Sequence, residues 1–351
     1  MELKDTKPMD ELLPEQLKAK SSIFKALIHS NSSRALIYQV IVLALIALGL
    51  ALLVSNTLAN MHQRGIQGGF DFLLDPAGFD ISESWIAYDS ADTYLKAFTV
   101  GLINTLRVCA LSIITCTVLG VLLGLGRVGE NPLIRLTCQA YTELFRNIPL
   151  LIQLLIWYVI VIECLPDPQT PLDLNLGDFH FFLTKEGLTV PWFSAQSGIW
   201  FESPSVVDDN LTGGASLSPE FVALFVGLSL YTSAFAGEVI RAGLLSVDEG
   251  QIEAGLSIGL KRTQITRLIV IPQALRVIIP PMANQYLNLI KNSSLAVAIG
   301  YPDLVNISNT ALNQTGHAVE CVMIIMAIYL TISLTTSALM NTYNKRVLLR
   351  G

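Results

Sequence analysis

The sequence predicts an all-α membrane protein of about six transmembrane helices with both termini on the cytoplasmic side. Three observations predict it. The 351 residues are 52% hydrophobic and only 14% charged, against about 25% charged in an ordinary soluble domain. The apolar residues gather into runs near the ~20 residues a helix needs to cross the hydrocarbon core. Lys and Arg gather in alternate connecting segments, as they do in cytoplasmic loops.

A polar tail, residues 1–34, comes first and holds Lys4, Lys7, Lys18, Lys20, Lys25 and Arg34. The run behind it is too long for a signal-peptide core, so no cleavable leader is expected. The first transmembrane helix is assigned to 35–58, on ALIYQVIVLALIALGLALLV (35–54). Residues 59–97 form an outer segment with the stretch GGFDFLLDPAGFDISES. The second run, 98–125, carries one internal charge, Arg107, and Gly120-x3-Gly124, a spacing that lets a neighbouring helix approach. The third, 148–165, has Pro149 at its start, where a proline begins or bends a helix. The fourth is 220–240, the fifth begins near Val277, and the sixth is 318–340.

The basic segments are 126–147 with Arg127, Arg135 and Arg146, 242–276 with Lys261, Arg262, Arg267 and Arg276, and the C-terminus with Lys345, Arg346 and Arg350. The alternate segments are poor in bases: 57–97 has Arg64 and Lys96, 166–218 has only Lys185, and 301–317 has none. Residues 166–218, rich in Pro, Gly and Asp, read as a periplasmic insertion. Both long outer segments are expected to cap helix ends or to help dock a soluble partner.

Several chemistries are excluded. Cys109, Cys116, Cys138, Cys164 and Cys321 form no CxxC, and the four histidines form no HExxH, so no metal or redox site is expected. No nucleophile–base set appears, so the chain is not expected to be an enzyme. A net charge of −6 with no broad basic surface argues against nucleic acid. Gly255…Gly259-Leu-Lys261 lacks the GK[ST] ending of a phosphate loop, so no nucleotide or other cofactor is expected in this chain.

The segment GQIEAGLSIGLKRTQITRLIVIPQALR (250–276) interrupts the apolar runs. Ser246 to Glu249 has a capping-box pattern that opens a short helix through Ile252, Glu253 and Leu256. Gly259 ends that helix, because glycine tolerates a left-handed backbone. Thr263 is expected to cap a second helix with Ile265, Leu268 and Ile269 on one face, and Pro272 to stop it. The result is a helix-turn-helix elbow that presents Glu253, Ala254 and Gly255 outward. From these residues alone, an ordinary amphipathic loop fits equally well.

The elbow resembles a motif of permease subunits of bacterial ATP-driven (ABC) importers, E-A-A-x3-G-x9-I-x-L-P. Here it reads Glu253-Ala254-Gly255, three residues, Gly259, nine residues, Ile269, one residue, Ile271 and Pro272, with Gly255 in place of the second alanine and Ile271 in place of leucine. The resemblance covers roughly 98–346. INTLRV (103–108), ELFRNIPLLIQLL (143–155), GEVIRAGLLSV (237–247) and LIKNSSLAVAIGYPDL (289–304) look most like the polar amino-acid branch, the histidine, glutamate and general amino-acid permeases. The added first span and FDFLLDPAGFDIS (70–82) resemble its larger, N-terminally extended type.

The resemblance implies a five-helix type I importer core plus one N-terminal helix, multi-pass in a bacterial inner membrane. It implies a coupling helix that inserts into a separate ATPase, with Glu253, Ala254, Gly255 and Gly259 at the contact and Ile269 and Pro272 completing the motif. It also implies two ATPase subunits that bind the ATP and Mg, a second permease expected to be paralogous, and a periplasmic binding protein that supplies an L-amino acid.

A zwitterion crossing apolar helices needs polar partners. The candidates are Arg107, Gln153, Asn288, Lys291, Ser293 and Ser294, with Glu163 and Glu238 as acidic options. Lys291 reads either as a structural ion-pair partner or as a receptor for the substrate carboxylate. Arg107 reads as a snorkelling side chain, Glu238 and Arg241 as a simple i, i+3 pair, and Pro280-Pro281 as a source of irregularity in the fifth span. Two other functions fit the runs: a scaffold half of a pore whose partner holds the substrate site, and an ion-coupled secondary transporter, which would show inverted repeats and intramembrane carboxylates.

Overall fold

The computed structural model describes residues 31–63, 68–177, 179–193, 201–207 and 210–349. Residues 1–30 of the tail, with Lys4 to Lys25, lie outside them, as do Arg64 and Arg350. The chain divides into two units, Met1–Gly68 and Gly69–Gly351.

The first unit contributes helix α1, Asn31–Gln63, which starts inside the segment expected to be tail. Within it, Ala35–Thr57 has a mean hydropathy of 2.7 and side chains exposed on every face, including Leu36, Leu43, Leu45 and Leu53. A helix apolar all round needs a hydrocarbon solvent.

In the second unit, α2 (Tyr94–Val128) and α5 (Pro219–Leu245) form the central pair. Thr93 Oγ1 accepts from the Lys96 N–H, and Ser218 Oγ accepts from the Phe221 N–H, so both helices start on a side-chain cap. The Gly120/Gly124 spacing sets their approach. A Cβ at Gly120 would stand 2.7 Å from Ala236 Cβ, and one at Gly124 would stand 2.7 Å from Ile240 Cγ2. Neither position has room for a side chain.

The third expected span is broken. Residues 132–147 form a helix of their own, α3 (Pro132–Asn147), which bends by 103° into α4 (Leu150–Val159) and its π-turn extension Ile160–Cys164. Pro149 has no N–H and stands at the N-cap of α4. From Leu150 to Cys164 the rise is about 22 Å, short of the ~30 Å hydrocarbon core, so neither piece crosses alone. Residues 126–147 are therefore not a simple loop. Glycine-free Leu-Ile-Arg-Leu runs in α3 satisfied the loop reading by charge and hid a helical period.

The insertion 166–218 adds strands to an otherwise helical chain. A four-stranded antiparallel sheet runs in the order β1 (Leu172–Leu176), β2 (Phe179–Thr184), β3 (Gly187–Val190), β8 (Ala215–Leu217). Two ribbons join it, β4 (Trp192–Phe193) with β5 (Phe201–Glu202), and β6 (Ser205–Val207) with β7 (Asn210–Thr212). In β2 the burial alternates over Phe179 to Thr184, as a half-buried strand requires.

At the opposite end of α5 lie the elbow helices α6 (Glu249–Ser257) and α7 (Arg262–Ile265). A π turn, Thr266–Val270, leads from α7 into α8 (Ile271–Asn292), which ends in a 3₁₀ turn, Ser293–Ile299. The helix runs through Pro280 and Pro281, where irregularity was expected. The irregular turns lie at its two ends instead. Helices α9 (Leu304–Thr315) and α10 (Ala318–Leu349) close the unit. Among the described residues, five helices are long and apolar enough to cross a membrane, or six if α3 and α4 together make one span.

Asp303 caps α9 outside these spans, its Oδ1 accepting from the Asn306 N–H at 2.8 Å. The residue is fully buried, and burial pushes its carboxyl up to about 7. A carboxyl pKa raised above its unfolded value contributes stability that is full below ~4 and is lost as pH rises through the folded value. Asp303→Asn keeps the capping acceptor and removes the charge. It is expected to flatten part of the fall in melting temperature between pH 5 and pH 8; an unaltered slope would count against burial of the ionised group.

Candidate functional site

Two places concentrate polar groups that the fold does not use up: the elbow, and a cavity halfway along α5. In the elbow, α6 opens on Asp248, whose Oδ1 accepts from the Gly250 N–H at 2.8 Å. Ser246 belongs instead to the end of α5, where its hydroxyl donates to the Gly243 carbonyl, so the expected capping box gives way to a single cap two residues on, at Asp248. Gly259 has φ +86°, with its N–H on the Leu256 carbonyl (2.9 Å) and the Leu260 N–H on the Gly255 carbonyl (3.1 Å). This pair of bonds is a Schellman ending and needs a residue at ease in the left-handed region.

The second helix opens on Lys261, not Thr263: the Lys261 N–H donates to Gln264 Oε1 at 2.9 Å. Pro272 does not stop it. The π turn before Ile271 displaces the carbonyl that a proline ring would strike, and the helical path continues from Arg262 to Ile299. Glu253 and Ala254 are exposed, but Gly255 is buried. A Cβ there would stand 3.1 Å from both Ile265 Cγ1 and Ile269 Cδ1, so Gly255 faces the second helix rather than outward. Leu268, expected beside Ile265 and Ile269, is 63% exposed, because the wider π turn rotates it off their face. The outward apolar groups are Leu256 and Ile258.

The cavity has a volume of about 330 Å³ and lies between α5 and α8, against Tyr231, Thr232, Phe235, Gln285, Asn288 and Asn292. Its depth follows from α3. Tyr141 donates to the Leu230 carbonyl at 3.0 Å and meets Ser233 Oγ at 2.9 Å, near the middle of the 27-residue α5. The Arg146 guanidinium then lies 5.1 Å over the Phe235 ring. Arg146, counted from sequence as a loop cation, thus stands at mid-span, where a charge costs ~2.5–3.5 kcal/mol or more. The bend at Pro149 put it there, and only the ELFRN-IP junction in the sequence hinted at it.

Of the expected path residues, Asn288 lines the cavity. Gln153 does not: it is buried at the α3–α4 break, its Nε2 donating to the Phe145 and Ile148 carbonyls, both at 2.8 Å. Arg107 does not snorkel. It pairs with Glu83, their side chains 7% and 8% exposed, and its guanidinium lies 4.4 Å from the Phe221 ring centroid and 5.4 Å from that of Trp85. Ser293 and Ser294 each donate back to their own helix, to the Ile290 and Lys291 carbonyls. Lys291 is exposed and has no ion pair among the described residues, so a glutamate partner for it is not found. Glu163 is exposed, and Glu238 binds both Arg241 and Arg127.

The chain is similar to known proteins. Residues 117–349 match the family described as binding-protein-dependent transport system inner membrane component. The putative amino-acid ABC transporter permease YhdX of Escherichia coli is 39% identical, over 93% of this chain and 98% of its own. The general L-amino acid transport system permease AapQ of Rhizobium johnstonii is 36% identical, over 93% and 95%. A solved structure, an amino acid ABC transporter with histidines, aligns with TM-score 0.52 and 27% identity over 72% of this chain and 95% of that one. A secondary transporter is thereby excluded, and the chain belongs to the inner-membrane permease family of binding-protein-dependent ABC importers.

Proposed function

We propose that this permease passes L-amino acids across a bacterial inner membrane, from a periplasmic binding protein to the cytoplasm, with both its termini cytoplasmic. It works beside a second, paralogous permease, on two ATPase subunits that hold the ATP and Mg. The names of the relatives support the amino-acid cargo. The single observation that carries the mechanism is the unbroken helical path Arg262–Ile299. One end packs on α6 through Ile265 and Ile269, and the other presents Asn288 and Asn292 to the cavity. A push on α6 therefore reaches the cavity through one stiff element, as a two-state coupling requires.

In this reading Glu253 and Ala254 meet the ATPase, Gly255 lets α6 seat closely on Ile265 and Ile269, and Gly259 fixes the elbow angle. The cavity favours a substrate path in this chain over a purely scaffolding half.

The test is uptake and substrate-stimulated ATP hydrolysis in the reconstituted complex. Gly259→Asp forces a side chain into the left-handed region at ~1–2 kcal/mol and is expected to lower coupled transport by about tenfold or more. Glu253→Ala, at an exposed site, is expected to weaken coupling while the chain still inserts. Normal uptake by a well-expressed Gly259→Asp variant would remove the elbow from the mechanism.

A further inference from the structure

Among the described residues, carboxylates neutralise Arg107 and Arg127 on α2 and Arg241 on α5, whereas Arg135, Arg146, Arg267 and Arg276 have no ion pair. Arg107 pairs with Glu83, and Arg127 and Arg241 share Glu238. Of the four unpaired arginines, Arg146 is the one that lies over an aromatic ring among the described residues, and it is exposed. Its guanidinium lies over Phe235, 5.1 Å from the ring centroid, and that ring also lines the cavity and stands 5.0 Å from that of Tyr231. The cavity wall offers the amides of Gln285, Asn288 and Asn292 and the hydroxyls of Tyr231 and Thr232. These are neutral groups that suit an ammonium or an uncharged side chain. None of them answers an anion's charge.

We propose that Arg146 is the receptor for the substrate's α-carboxylate in the translocation path. This rests on the reading of the chain as an amino-acid permease. The Arg146 guanidinium stands 5.1 Å from the centroid of a ring that lines the cavity, and its fork of N–H donors matches the two oxygens of a carboxylate. A mid-span cation without a fixed partner is neutralised only while cargo is present, which ties occupancy of the cavity to the charge state of the helix break. The α-carboxylate is common to all L-amino acids, so a receptor for it suits broad side-chain tolerance. Lys291, three residues beyond Asn288, is the competing cation; it neither lines the cavity nor stacks on a lining ring.

The test uses the complete complex, this chain with its companion permease and ATPase, in nanodiscs without binding protein, so that only the membrane site is read. Radiolabelled L-glutamine, and in parallel L-histidine, is displaced by the unlabelled acid or by its α-amide. The wild-type complex is expected to prefer the acid by ~tenfold or more, as a lost charge-assisted pair implies. Arg146→Gln is expected to bring the ratio within about twofold, with Arg146→Lys between, and Lys291→Gln to keep the wild-type ratio. Because the readout is a ratio, it does not depend on yield, and Arg146→Lys serves if the glutamine variant fails to assemble. An unchanged ratio in Arg146→Gln, or a loss confined to Lys291→Gln, overturns the assignment. So does a wild-type complex that imports these amino acids yet does not distinguish acid from amide. Absence of amino-acid import by the wild type would instead strike the proposed function itself, and the assignment with it.

Discussion

Glu83→Ala is expected to destabilise the purified protein by about 3–5 kcal/mol, the usual cost of removing one member of a buried ion pair. The carboxylate joins α2 to the start of α5. It receives the Arg107 guanidinium from α2, and its Oε2 accepts the Ser218 N–H at the start of α5 (3.1 Å), while the main-chain carbonyl of Glu83 accepts from Asn104 Nδ2 of α2 (2.8 Å). Asn104 reaches on to the Pro302 carbonyl at 3.0 Å. Losing Glu83 strands Arg107 against Phe221 and Trp85 with a charge and no counter-ion. The expected signs are a lower melting temperature and faster proteolytic cleavage between residues 69 and 93. A double variant, Glu83→Leu with Arg107→Met, is expected to regain much of the loss, since replacing both partners removes the uncompensated charge. If the single variant melted like the wild type, the pair would not be holding the outer segment.

Gln153→Leu is the second large effect. Backbone that leaves a helix inside a membrane must find donors and acceptors in the protein. At the α3–α4 break the Phe145 and Ile148 carbonyls both find them in Gln153 Nε2. Leucine fills similar space and leaves two part-buried acceptors without this donor, each at up to about 1–3 kcal/mol. Thermal unfolding of the assembled complex should move down accordingly, and the angle at Pro149 should relax. Were Gln153 a cargo contact, the variant would alter amino-acid preference at an unchanged melting temperature, which is the opposite pattern.

Much of the chain was legible in order along its length. Runs of apolar residues, alternating basic segments and a long spacing motif located the spans, the elbow and its glycine hinge. Gly259 was readable because a helix-ending glycine needs no tertiary context to adopt φ +86°. The strands of 166–218 were harder, since short alternations such as FHFFLT carry little signal beside long helical runs.

The polar residues within the spans show where a linear reading stops. Arg107, Gln153 and Arg146 are alike in sequence, each a polar group in apolar surroundings. Their fates differ because of partners far along the chain or a bend: Glu83 claims Arg107, two carbonyls claim Gln153, and the break at Pro149 carries Arg146 from an apparent loop to the side of Phe235. Gly255 likewise lies in a motif that reads as a contact surface, yet faces Ile265 and Ile269. The sequence by itself determined where the long apolar helices lie, the bent α3–α4 pair excepted, because transfer of a segment depends on its own composition. Only the tertiary structure decided which polar groups are spent on holding the fold and which are not, because a buried hydrogen-bonding group is satisfied by whatever the helix crossings bring within 3 Å of it.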